Sequence, residues 1–116
     1  MEKQSSSEED SNYDNYLGIL NKTYRIIRFL GQGLTSQVFL ALRIKDNKQV
    51  AIKIFKPSFL NSGSEARKIF LGELTALKLL DHPNIVKMYE YDIDGHIVTQ
   101  VSQLKGVWFI SLEYIS

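Results

Sequence analysis

The sequence predicts an α+β fold, a five-stranded antiparallel sheet packed on one helix, from three observations. Three segments rich in β-branched and aromatic residues succeed one another across hairpin-length breaks between Tyr24 and Phe55. One stretch with helical spacing of apolar residues runs from about Ser64 to Leu80. Two more strand-like segments, Ile85 to Tyr91 and Val107 to Tyr114, follow it.

Taken in order, residues 1–20 are assigned to an acidic, largely disordered tail and residues 21–116 to the folded body, with an apolar patch, Tyr16 to Leu20, at the junction. Residues 1–14 carry five acids and one base, a net of −4, against a net of +5 for the rest of the chain. After Met1 they hold no aliphatic side chain, so burial cannot offset the entropy of ordering them. The first strand, Tyr24 to Leu30, ends at Gly31, and the second, Gln37 to Leu42, ends in the polar turn Asp46-Asn47-Lys48. The third, Gln49 to Phe55, is closed by Lys56-Pro57. Asn61 to Ser64 supplies N-cap chemistry with Glu65 in the first turn, and Asp81-His82-Pro83-Asn84 breaks the helix. Asp94-Gly95 and Lys105-Gly106 read as turns around a ribbon, His96 to Ser102, within a flap from Asp92 to Lys105.

Composition narrows the function. The chain has 116 residues, no cysteine and a formal net charge of +1. Disulfides, thiolate metal sites and cysteine nucleophiles are therefore excluded. A nucleic-acid partner is not expected, because counterion displacement needs a basic surplus. No membrane partner is expected either, since no apolar run approaches the roughly 20 residues that span a bilayer. The expected location is the cytoplasm or the nucleus.

Two charged residues stand where apolar ones belong. Along the third strand Val50, Ile52 and Ile54 share one face, and Ala51, Lys53 and Phe55 the other. Lys53 is the sole charge from Val50 to Phe55. On the helix, about 100° per residue puts Ala66, Phe70, Leu74, Leu77 and Leu80 on one stripe with Glu73 in its centre. A sheet-facing ammonium and a core-facing carboxylate each carry a desolvation cost that the other relieves. The spacing therefore predicts a Lys53–Glu73 pair.

Leu30-Gly31-Gln32-Gly33-Leu34-Thr35-Ser36-Gln37-Val38 contains a G-x-G turn whose missing Cβ atoms let backbone N–H groups approach phosphate oxygens. It opens a strand rather than a helix, and Lys53 stands 20 residues past Gly33, so neither a Rossmann fingerprint nor a Walker loop fits.

Strand, glycine loop, strand, Ala51-Ile52-Lys53 and a helical Glu73, in that order, resemble the N-terminal lobe of a eukaryotic-type protein kinase. The resemblance covers roughly residues 24–116 and takes in His82-Pro83-Asn84-Ile85-Val86 before the fourth strand and Phe109 to Ile115 running into the hinge. It implies that the helix is an αC-type helix and that the C-terminal lobe is absent. It implies that Lys53 holds the α and β phosphates of ATP and that Glu73 orients it. Gly31, Gly33 and the backbone to Ser36 would cover the phosphates. Leu30, Val38 and Ala51 would sandwich the adenine, with backbone groups of Glu113 and Ile115 at its edge and Leu112 as gatekeeper. Leu77 and Met88 would belong to the hydrophobic spine. Thr35 and Ser36 depart from the family, standing for an aromatic and a third glycine.

The implied activity is transfer of the ATP γ-phosphate to protein Ser/Thr hydroxyls, with ATP and a protein substrate as partners of the complete kinase. His-Arg-Asp, Asp-Phe-Gly and Ala-Pro-Glu do not occur in the 116 residues, so the catalytic base and the Mg²⁺ ligands are missing. The expectation is a partial kinase domain, from N-lobe to hinge, that is inactive alone. The alternative is a non-catalytic, kinase-like module that binds a protein partner through its bare surface.

Overall fold

A computed structural model describes residues 13–79 and 87–114. They form a 3-10 turn at Tyr13–Tyr16, then β1 (Ile19–Leu20), β2 (Tyr24–Gln32), β3 (Ser36–Arg43), β4 (Lys48–Phe55), α1 (Pro57–Leu60), α2 (Ser64–Leu79), β5 (Met88–Val98) and β6 (Gln103–Glu113).

The alternation along β4 organises the molecule. Val50, Ile52 and Ile54 turn inward and are almost wholly buried with Leu20, Phe39, Ile97 and Phe109. Ala51, Lys53 and Phe55 turn the other way, and Phe55 packs with Phe70 and Leu74 of α2 and with Ile110. One strand thus serves two cores, the barrel interior and the layer between sheet and helix.

All strand pairs are antiparallel, in the order β1-β2-β3-β4-β6-β5, and the cycle closes because β1 also pairs with β5. The expected five strands are therefore six. Ile19 lies opposite both Arg25 and Val98, and Leu20 opposite both Tyr24 and Ile97. A two-residue strand has no readable period, and this one exists because two neighbours accept it at once. Packing consequently begins before residue 21. Tyr16 meets Phe39 edge-on at 5.6 Å and is buried, as is Leu20.

The expected flap is absent among the described residues. Asp92 to Lys105 is the continuation of β5 and β6 as one long hairpin, and its turn lies at Thr99–Ser102. The Thr99 hydroxyl accepts the N–H groups of Val101 and Ser102 there. The two Gly signals mark an irregularity inside the strands rather than turns. The register shifts on either side of Gly95, and Gly106 has φ +67°. A side chain at Gly95 would meet the Val107 carbonyl oxygen at 2.8 Å, so strand and bulge fit only glycine.

Helix α1 was not expected. Proline at its first position ends β4 as anticipated but also starts a turn, since a fixed φ suits that position. Helix α2 buries Ala66, Phe70 and Leu74, three members of the stripe read from the sequence. Residues 1–12, Leu80, the His82 to Val86 stretch and Ile115 lie outside the described residues. No helix among the described residues is long and apolar enough to cross a membrane.

Candidate functional site

Antiparallel pairing lets the outer face of the sheet be laid out rung by rung, because directly opposed residues point to the same side. Gly31 opposes Val38, Val38 opposes Lys53, and Lys53 opposes Ile110. On the next rung Leu40 opposes Ala51, Ala51 opposes Leu112, and Leu112 opposes Met88. Two adjacent rungs, about 7 Å apart, thus carry Gly31, Val38, Lys53, Ala51 and Leu112.

Over this face lies α2. Phe70 is 1% exposed and meets Phe55 at 5.0 Å and Trp108 at 5.2 Å, both edge-on. Arg67 lies 5.8 Å from the Trp108 ring centroid and closes the outer side of that contact. These contacts fix the rotation of α2, and with it the direction of Glu73, three residues on from Phe70. Lys53 Nζ donates to Glu73 Oε2, joining β4 to α2 as expected. The two side chains keep 23% and 28% of their surface exposed, so the pair is shielded but reachable from solvent. Glu73 Oε1 is buried and has no hydrogen-bond partner among the described residues. Leu77, Met88 and Leu112 pack against the same inter-layer cluster.

Strands β2 and β3 project the glycine loop beyond this face. The Gly33 N–H donates to the Ser36 carbonyl at 2.9 Å and closes the turn. Neither Gly31 nor Gly33 has a positive φ, and a Cβ on either would touch nothing within 4 Å. Neither backbone conformation nor packing among the described residues requires glycine there. What the missing Cβ atoms leave is open backbone, and Gly31 shares its rung with Val38 and Lys53. Ser36, by contrast, is buried opposite Phe55, and its carbonyl is occupied by the turn. Thr35 accepts the Lys56 N–H at 2.9 Å, tying the loop to the end of β4.

Of the remaining predicted residues, Leu30 and Val38 are half-buried and Ala51 is 9% exposed. The Glu113 N–H donates to the Lys87 carbonyl at 2.7 Å, tying the end of β6 to the residue that precedes β5. Leu40 and Ile110 share these two rungs and are buried, and counting by two from Val38 along β3 reaches Leu40 directly. Among the described residues, no three His, Asp or Glu side chains converge as a metal site.

A family model described as the protein kinase domain matches residues 24–114. The chain is 38% identical over 73 residues to cyclin-dependent kinase F-3 of Oryza sativa subsp. japonica, covering 63% of the chain and 16% of that protein. It is 32% identical over 92 residues to serine/threonine-protein kinase PrkC of Bacillus subtilis, covering 79% and 12%. Against serine/threonine-protein kinase cds1 of Schizosaccharomyces pombe the figures are 36% over 90 residues, 74% and 20%. The chain therefore spans a fifth or less of these relatives. A match from the first residue of β2 to one past the end of β6, together with the Lys53–Glu73 pair, shows that the chain belongs to the protein kinase domain family.

Proposed function

We propose that these residues are the ATP-binding small lobe of a protein kinase whose complete form transfers the γ-phosphate of ATP to Ser/Thr hydroxyls of proteins. The observation that carries this reading is the Lys53–Glu73 ion pair set on the same rung as Gly31 and Val38. In it the Lys53 ammonium binds the α and β phosphates and Glu73 holds that ammonium in place. The open backbone at Gly31 and Gly33 lets loop N–H groups reach phosphate oxygens. Leu30, Val38 and Ala51 take one face of the adenine, Leu112 bounds the pocket as gatekeeper, and the Glu113 carbonyl meets the edge of the base. Ile115 is assigned to the same edge from sequence alone.

Phosphoryl transfer also needs a base and Mg²⁺ ligands, which the 116 residues do not contain as His-Arg-Asp or Asp-Phe-Gly. The chain by itself is accordingly proposed to bind nucleotide weakly and to transfer nothing. Calorimetric titration with ATP tests this. Wild type should bind, Lys53→Met should lose about tenfold or more in affinity, and neither should phosphorylate a protein. Equal affinity of wild type and Lys53→Met for ATP would overturn the assignment.

A further inference from the structure

The barrel interior is apolar along most of its length, but one end is closed by polar groups from three strands. Ser111 of β6 is fully buried. Its Oγ accepts the backbone N–H of Glu90 at 3.1 Å and donates to the Glu90 carbonyl at 3.3 Å. Tyr24, 2% exposed at the start of β2, reaches across the interior with its ring edge-on to Phe109 at 6.3 Å. Its hydroxyl donates to the Glu90 carboxylate and stands 3.0 Å from Ser111 Oγ. Burial and the Glu90 acceptor push the Tyr24 phenol up to about 12, so it stays a neutral donor at ordinary pH.

This cluster coincides with an irregularity in the β5–β6 ladder. Met88 opposes Leu112 and Glu90 opposes Ser111, so Tyr89 is an extra residue with nothing opposite. Such a bulge takes a backbone N–H out of the ladder, and the Ser111 side chain receives that of Glu90. The Tyr89 ring meets the Arg43 guanidinium at 5.3 Å and the Lys48 ammonium at 5.8 Å. Without the bulge, period-two pairing would set Tyr89 rather than Met88 opposite Leu112.

We infer that Tyr24, Ser111 and Glu90 form a positioning lock. Holding the Tyr89 bulge from inside the barrel, they set the height of Leu112 and Glu113, the next two residues of β6 after Ser111. A strand carries its neighbours rigidly, so an inward anchor at Ser111 fixes where the outward Leu112 side chain and the Glu113 backbone stand. A polar group inside an apolar core is satisfied in one register alone, which makes it a specific anchor rather than a strong one. Resting on the proposed ATP reading, the lock governs affinity for the adenine base and leaves the phosphate end, at Lys53 and the glycine loop, to itself.

The test compares ATP with inorganic tripolyphosphate, which lacks the base, on the full 116-residue chain and on Tyr24→Phe and Ser111→Ala. Ile26→Val, a core truncation on the same strand as Tyr24, controls for general loss of stability. The lock predicts that Tyr24→Phe and Ser111→Ala weaken ATP by about fivefold or more and tripolyphosphate by less than about twofold, while Ile26→Val leaves the ratio unchanged. Parallel loss of both ligands, or the same ratio shift in Ile26→Val, would overturn it. Amide exchange without ligand separates this outcome from failure of the ATP reading. The Glu113 N–H, bonded to the Lys87 carbonyl, should exchange about tenfold faster in Tyr24→Phe than in Ile26→Val. Equal exchange in the two variants rejects the lock whether or not wild type binds ATP.

Discussion

Lys53 of β4 and Glu73 of α2 form an ion pair through Nζ and Oε2, while Oε1 of the same carboxylate is buried without a hydrogen-bond partner among the described residues. The pair is half satisfied, and an unmet buried acceptor costs about 1–3 kcal/mol. Its value to folding is therefore small, and its place on the rung of Gly31 and Val38 suits the role proposed for it, that of holding an ammonium in a set position.

A mutant cycle makes this quantitative. Lys53→Met strands the Glu73 carboxylate in an apolar stripe and should destabilise the chain by about 1–2 kcal/mol, less than a fully buried pair because both groups retain solvent contact. Adding Glu73→Gln removes the stranded charge and should recover half of that loss or more. Urea unfolding of the four proteins reads the coupling directly.

The glycines separate into two kinds. Gly31→Ala should leave stability within about 0.5 kcal/mol, or raise it slightly, because the added methyl meets nothing within 4 Å. ATP affinity should fall in the same variant, since the methyl intrudes where phosphate is proposed to lie. Gly95→Ala should cost about 2 kcal/mol or more, because its methyl would press on the Val107 carbonyl at 2.8 Å and the Phe109 ring at 3.0 Å. Thermal unfolding alongside nucleotide titration distinguishes the two effects.

Phe70 carries the attachment of α2. Phe70→Ala should cost about 3–5 kcal/mol, a large part of what holds a domain of this size. Ile69→Ala, on the neighbouring position with 43% exposure, should cost less than about 1 kcal/mol. Loss of α2 protection in amide exchange, with the β2–β3 hairpin still protected, would show that the helix detaches before the barrel opens.

Two groups make stability depend on pH, with opposite signs. The Tyr24 phenol is raised to about 12 by burial and by its bond to Glu90, so the folded state holds its proton more tightly than the unfolded chain does. The stability linked to it is complete below about pH 10 and is lost as pH rises toward 12, and Tyr24→Phe should remove that slope. Asp46 behaves oppositely. The Arg43 guanidinium, bound through Nε at 3.0 Å and an NH2 nitrogen at 2.8 Å, lowers its carboxyl to about 2. Its contribution is present above about pH 4 and fades as pH falls toward 2, and Asp46→Asn should flatten that limb in acid unfolding.

Much of the site was legible because its residues break local rules. A lysine amid apolar strand residues and a glutamate in an apolar helical stripe are each visible in one dimension, and Ala66, Phe70 and Leu74 fall on the stripe by their spacing. So the sequence by itself determined the strand–loop–strand order, the two faces of β4, the buried stripe of α2 and the Lys53–Glu73 partnership. Period and charge are local properties, and no distant contact is needed to read them. Tertiary structure alone decided that Ile19–Leu20 closes the sheet, since a strand of two residues forms only where both β2 and β5 offer an edge. It also decided that Gly95 and Gly106 irregularise one long hairpin instead of turning it, because what glycine permits depends on the backbone opposite. The same holds for Tyr24, Ser111 and Glu90. A tyrosine and a serine 87 residues apart carry no shared pattern, and only closure of the barrel brings their oxygens to 3.0 Å.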